Sequence, residues 1–340
     1  MYPPSAFSVR LLHQGLQTLS GFETIANKFP FETFSHSPLA DQSSEKEWSV
    51  QEKSGICFLE RQENRLPGPL YVAGKSSSVL DIAKELYRRD CFPEWSSVLA
   101  VSQSAGRGQM RRTWISPEGN LYVALRLPEY EPFSTTAAAP ATGALCAEAL
   151  TNSGFSVRQK WPNDILQPFQ KNPGAAPGND QESFRKVAGI LLEETKGMLV
   201  AGMGFNIASC PSEAMLRSDH AFPAGRLCPS VPGKKITGSG TGNDKIVNIF
   251  SLWVQLAADM FSCYNRMKTQ DEWWVSLTNV HLAFLGEFVS LADAVPESAL
   301  PCKKTAEGTI KGITRSGALL ISTFHGTESF LGGSLLPSRQ

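Results

Sequence analysis

The sequence has no excess of charge of either sign. Lys plus Arg and Asp plus Glu are both 32, so the formal net charge is zero. A general nucleic-acid or membrane-surface binder is normally strongly biased, so that class is disfavoured, although local patches survive such a balance. Long hydrophobic runs are also missing. None reaches the ~18 residues that a membrane-spanning helix needs. The N-terminus shows no basic stretch followed by an apolar one, so a signal peptide is not expected and a cytoplasmic location is. The seven cysteines (Cys57, Cys91, Cys146, Cys210, Cys228, Cys263 and Cys302) are scattered, odd in number and free of any Cys-x-x-Cys pair. That pattern fits a reducing compartment better than a disulfide framework or a zinc site. His13, His36, His220, His281 and His325 have no ligand spacing, and no Ser/His/Asp set stands out.

The chain is long enough for two or three domains, and 41% hydrophobic residues supply a sizeable core. Residues 1–65 form an N-terminal extension of unread role, in which Val9 to Leu19 suits one amphipathic helix. From Leu70 onward strand and helix patterns alternate. Strands are expected at 69–73, 97–102, 120–127, 157–161, 164–166, 187–193 and 198–207. Helices are expected from Ser78, as N-cap with Asp81 in a capping-box position, to Arg89, and from Pro140 to Leu150. Two further helices are expected at 245–267 and 271–278. Two Gly/Pro-rich polar stretches, about 167–185 and 225–244, read as insertions, the first within a hairpin. The last segment, from about Gly286, holds short β-runs with a hairpin across Arg315-Ser316-Gly317 and Gly332-Gly333 before a final strand.

Three short segments carry the chemistry. The first is Gln103-Ser104-Ala105-Gly106-Arg107-Gly108, continuing as Gln109-Met110-Arg111-Arg112-Thr113-Trp114. Its glycines let backbone amides approach an anion, and its arginines neutralise phosphate charge. The second is Lys160-Trp161-Pro162-Asn163-Asp164, a lysine at a strand end before a tight turn. The third is Lys186-Val187-Ala188-Gly189-Ile190-Leu191, followed by Gly202-Met203-Gly204-Phe205-Asn206. A lysine point charge held beside a glycine-rich loop suits a carboxylate and a nucleotide bound together. Each segment also has a plainer reading. These are a solvated basic turn, turn formation by Pro-Asn-Asp, a strand-starting lysine, and N-capping by Ser76-Ser77-Ser78.

In this order the three segments resemble the catalytic core of biotin–protein ligases. The resemblance covers roughly residues 70–340. It implies an α+β fold, a mixed β-sheet with helices of the class II synthetase-like biotin/lipoate ligase type, followed by a small SH3-like β-barrel. The corresponding domains are 66–284 and 285–340. It implies ATP-dependent formation of biotinyl-5'-adenylate and transfer of biotin to a lysine of a biotin carboxyl carrier domain. ATP and biotin are the substrates and Mg²⁺ accompanies ATP. Lys160 and Arg107 would be catalytic. Ser76, Ser77, Ser78, Gln103, Gly106, Arg107, Lys160 and Gly189 would meet biotin. Arg107, Gly108, Gln109, Arg112, Trp114, Lys160, Asn163, Lys186 and Asn206 would meet ATP or the adenylate, with Trp114 stacking on adenine. Asp164 would help hold Mg²⁺. The sequence departs from the family at Gln109, where a third basic residue is usual, and at Ser77 and Ser78, where Thr and Asn are. No helix-turn-helix with a β-wing is visible in residues 1–65, so a ligase without DNA binding is expected. A homodimer stays open. The alternatives are a lipoate or octanoate ligase or transferase, and a biotin-binding regulator with little turnover.

Overall fold

The computed structural model describes residues 8–14, 49–62, 65–169, 183–212, 222–230, 242–293 and 303–336. Ten strands form one mixed sheet. They are β1 (Ser8–Gln14), β2 (Ser49–Lys53), β3 (Ile56–Gln62), β4 (Leu70–Ser76), β5 (Ser97–Gln103), β6 (Leu121–Arg126), β7 (Arg158–Lys160), β8 (Asp164–Phe169), β9 (Ser183–Thr195) and β10 (Met198–Phe205). Their spatial order is β2-β3-β1-β4-β5-β6-β10-β9-β8-β7. Among the described strands, β1 with β4 and β4 with β5 run parallel and the other pairs antiparallel.

Side chains alternate across this sheet with the period of two that strands impose. Leu70, Val72, Leu99, Val101, Leu121 and Val123 face one core, built with the helices α2 (Ala138–Asn152), α3 (Gly242–Met267) and α4 (Trp273–His281). Tyr71, Ala73, Val98, Ala100, Tyr122 and Ala124 face a second core under α1 (Val79–Arg88). Ser78 caps α1 as expected, its side chain accepting from the Leu80 amide. No helix among the described residues is long and apolar enough to cross a membrane.

The N-terminal extension differs from its expected form. The stretch read as a helix from Val9 begins as β1, and residues 15–19 lie outside the described residues. Val9 and Leu11 are buried, while Arg10 between them bonds Glu60 at 2.8 Å across the antiparallel β3. β1 lies against β4, so β1, β2 and β3 continue the sheet beyond the strand that leads to the serine segment.

The C-terminal segment is a second, antiparallel sheet of β11 (Phe288–Ala292), β12 (Lys304–Ile313), β13 (Leu319–Thr323), β14 (Gly326–Phe330) and β15 (Ser334–Leu336), in the order β14-β13-β12-β11-β15. The expected hairpin across residues 315–317 is present. The small SH3-like barrel expected there takes the form of this antiparallel sheet, without closure. The outermost strands β14 and β15 do not pair, so among the described residues this sheet stays open. The first polar insertion joins the paired strands β8 and β9 as anticipated. Residues 170–182 and 231–241, the greater part of the two insertions, lie outside the described residues.

Candidate active site

Glycines open a cavity on the α1 face of the large sheet. Along β10, Met198 and Val200 fill the core under α1, while the next residues on that face are Gly202 and Gly204. Gly204 lies across from Gly189 of β9. Where side chains are absent, the sheet face is recessed, and a cavity of about 480 Å³ stands there. One wall is Ser78, Val79 and Leu80 at the start of α1, and another is the loop 107–115. The floor carries Lys160, Asn163, Asp164, Lys186 and Asn206. Gly333, Ser334 and Leu336 of the C-terminal sheet close a further side.

The floor is charged. Lys160 ends β7 and is 5% exposed. Its ammonium lies 3.2 Å from one oxygen of Asp164, and the ammonium of Lys186 lies 2.6 Å from the other. Burial would push the Asp164 carboxyl up, but Lys186 and Lys160 outweigh it and hold it below its ordinary value. Two ammoniums gathered at one carboxylate beside the glycine-lined recess bring positive charge to the cavity floor, an arrangement that suits an anionic ligand. The same arrangement does not fit a cation at Asp164. Both its oxygens already accept from ammoniums, and the described residues offer no cluster of three His, Cys, Asp or Glu. Asn163 is buried as a clamp on β9, its side-chain amide donating to the Ile190 carbonyl at 2.7 Å and its backbone carbonyl accepting from the Ile190 amide. Asn206 donates to the Gly225 carbonyl and so pins residues 222–227 over the end of β10.

The glycine-rich loop is arranged around two side chains. Arg107 reaches out to Asp81 at 2.8 Å and Glu193 at 3.2 Å, and Asp81 also accepts from Ser77. Asp81, read in the sequence as half of a capping box, therefore orients the loop arginine. Trp114 lies across the bare backbones of Gly189 and Gly204. A methyl group on Gly204 would stand 2.5 Å from the indole nitrogen, and one on Gly189 would stand 2.9 Å from the ring. Either distance is below van der Waals contact. The Lys186 ammonium stands 5.3 Å from the Trp114 ring centre. Gly108, Gln109 and Arg112 line the cavity, and the single 3-10 turn Gln109–Arg111 holds Met110 and Arg111 at left-handed φ of 56° and 60°.

Thirteen of the residues singled out in the sequence line this one cavity. Ser76, Ser77 and Gly106 do not. Ser76 is buried behind it, Ser77 serves Asp81, and a Cβ on Gly106 would clash with the Trp114 carbonyl. Gln103 lines the cavity, but its amide is engaged. Its oxygen accepts from the Val79 amide at the start of α1, and its nitrogen donates to Ser116. Sequence reasoning missed Asp81 and Glu193 as arginine partners. It also missed Phe222, whose ring stands 5.8 Å from the Lys160 ammonium, and the wall given by β15. A lone Phe in a loop and a short C-terminal strand carry no motif that would have marked them.

A sequence model described as the biotin/lipoate A/B protein ligase family matches residues 76–206. The bifunctional ligase/repressor BirA of Bacillus subtilis is 32% identical over 143 residues, 40% of this chain and 40% of that protein. The Escherichia coli BirA is 38% identical over 120 residues, 32% of each. The matches thus span 32% to 40% of the length of these relatives. The biotin–[acetyl-CoA-carboxylase] ligase of Paracoccus denitrificans is 27% identical over 254 residues, 69% of this chain and 90% of that protein. Among solved structures, the Aquifex aeolicus biotin protein ligase in complex with biotin and ATP is similar at a TM-score of 0.56 and 23% identity, over 80% of this chain and 99% of that chain. That likeness establishes the fold.

Proposed function

We propose that this chain activates biotin with ATP and passes it to a lysine of a biotin carboxyl carrier domain, a reading supported by the match of residues 76–206 to the biotin/lipoate A/B protein ligase family. The supporting observation is the floor of the cavity, where the ammoniums of Lys160 and Lys186 share Asp164 beside a glycine-lined recess. In the first step a carboxylate oxygen of biotin attacks the α-phosphorus of ATP, and pyrophosphate leaves. Lys160 holds the carboxylate against the α-phosphate and offsets the charge that builds on the phosphoryl oxygens. Lys186 lies beside Lys160 and meets phosphate from the other side of Asp164. Arg107, poised on Asp81 and Glu193, exchanges these carboxylates for phosphate oxygens, a swap between comparable charge-assisted bonds. Arg112, Gly108 and Gln109 line the same mouth. Trp114 offers its indole face to adenine. In the second step the neutral amine of the carrier lysine attacks the carbonyl carbon of the adenylate, AMP leaves with the bonding electrons, and the attacking nitrogen gives up one proton to solvent as the amide forms.

Mg²⁺ enters this reading only as the companion of ATP, held by phosphate oxygens, since Asp164 is committed to two lysines. The family description also covers lipoate ligases, so a lipoate or octanoate reading has its own support. Pyrophosphate exchange into ATP separates the two readings. Exchange that depends on biotin, followed by labelling of a carrier domain, is the expected result. Exchange that depends on lipoate and not on biotin overturns the biotin assignment.

A further inference from the structure

The hairpin between β12 and β13 meets the catalytic domain through three consecutive carbonyls. The Arg315 carbonyl accepts from the Trp274 indole at 2.9 Å, the Ser316 carbonyl from the Thr136 hydroxyl at 2.7 Å, and the Gly317 carbonyl from the Trp161 indole at 2.9 Å. Glycine is required at 317. Its φ is +78°, and an added Cβ would stand 2.6 Å from the Ala137 Cα. Trp161 is 1% exposed, and its ring belongs to the core of the C-terminal sheet, with Leu282, Val289 and Leu335.

Trp161 is also the residue after Lys160. Because β7 alternates, Lys160 faces the cavity while Gln159 and Trp161 face away from it. β7 is three residues long and is the outermost strand of its sheet. Beyond its pairing with β8 it has one further bridge among the described residues, to Leu282, where the Ala283 amide donates to the Gln159 carbonyl at 2.8 Å, so its own ladder is short. Side chains on either side of the lysine add to that hold. Gln159 donates to the Pro140 carbonyl of α2 at 2.9 Å, and Trp161 donates to the C-terminal turn.

We propose that Trp161 is a positioning residue, through which the Arg315–Gly317 turn of the C-terminal sheet sets the place of the Lys160 ammonium. This rests on the reading of Lys160 as the group that meets carboxylate and α-phosphate. A displacement of ~1 Å in such a group costs ~100-fold in rate, so a single hydrogen bond that fixes its strand end is felt in turnover. The C-terminal sheet thereby acts on the first chemical step as well as lining the cavity.

The test compares three substitutions that each remove one bond to the same turn, all in the full chain. Trp161→Phe deletes the indole donor beside Lys160. Thr136→Val and Trp274→Phe delete the neighbouring donors, which lie on no strand that carries a cavity residue. Biotin-dependent pyrophosphate exchange gives kcat and KM, and thermal unfolding gives the stability lost. Trp161→Phe is expected to lower kcat by about tenfold or more (~1.4 kcal/mol) with both KM values changed less than about twofold. The other two are expected to keep kcat within about twofold of wild type even where they lower Tm as much. Should Trp161→Phe not fold, benzothienylalanine at position 161 keeps the shape without the N–H donor and takes its place under the same criteria. A Trp161 variant with wild-type kcat, or three variants that lose kcat in step with Tm, overturns the proposal. A wild type with no exchange on any carboxylic acid overturns the proposed function instead.

Discussion

Lys160→Ala is the sharpest test of the site, and its size follows from the floor of the cavity. With Lys160 present, two ammoniums face one carboxylate. Without it, Asp164 keeps Lys186 at 2.6 Å, so that carboxylate stays paired. The incoming carboxylate and phosphate then meet one cation fewer on the floor of the cavity. The lost side chain faces the cavity, so its removal enlarges that space rather than voiding a packed core, and Tm is expected to change little. Removing one preorganised donor from a developing anion costs ~3 kcal/mol, or ~100-fold in kcat. Biotin-dependent pyrophosphate exchange under saturating substrates measures that loss directly. An exchange rate within about threefold of wild type, under ~1 kcal/mol of barrier, would show that Lys160 is a structural lysine at a strand end and would sink the assignment.

Three further outcomes are expected. Arg107→Ala removes the loop cation that bridges Asp81 and Glu193. Calorimetry should show weaker binding of a non-hydrolysable adenylate mimic with biotin binding nearly unchanged, and equal losses for both ligands would contradict the phosphate role. Gln109→Arg adds a guanidinium at the cavity mouth, so the preformed adenylate should dissociate more slowly and bystander proteins should be labelled less. A wild type that retains the adenylate as long as the variant refutes this. For Asp164 the folded-state carboxyl sits below its ordinary value. Its stabilising contribution is therefore complete above the unfolded carboxylate pKa near ~4 and is lost as pH falls through the depressed value. The Tm gap between wild type and Asp164→Asn should be constant above that pH and close below it, and a gap that persists in acid rules out the ion pair as its source.

Much of this arrangement is written locally. The alternation of Leu70 to Ala73, Val98 to Val101 and Leu121 to Leu125 specifies strands buried on both faces. Ser78 marks the start of α1. The loop 103–114, the 160–164 turn and the strand from Lys186 name most of the cavity lining, because motifs of this kind are short and need fixed residue types at fixed spacing. The N-terminal strand was not legible. Val9, Leu11 and Leu12 suit a helix or a strand, and only the free edge of β4 selects the strand. The openness of the C-terminal sheet was equally hidden, since whether β14 meets β15 depends on curvature and not on periodicity.

The sequence by itself determined which residue types the site holds and in what order the chain delivers them: a basic glycine loop, a lysine at a strand end, and two rows of glycine. Tertiary structure alone decided their partners. Asp81 turned from a cap into an anchor for Arg107, and Trp114 came to rest on Gly189 and Gly204. Asp164 was shared between two lysines, and Trp161 was tied to a turn more than 150 residues further along the chain. The physical reason is range. Propensity, capping and side-chain period act over a few residues, while a hydrogen bond or ion pair between distant segments exists only after the sheet has brought them together.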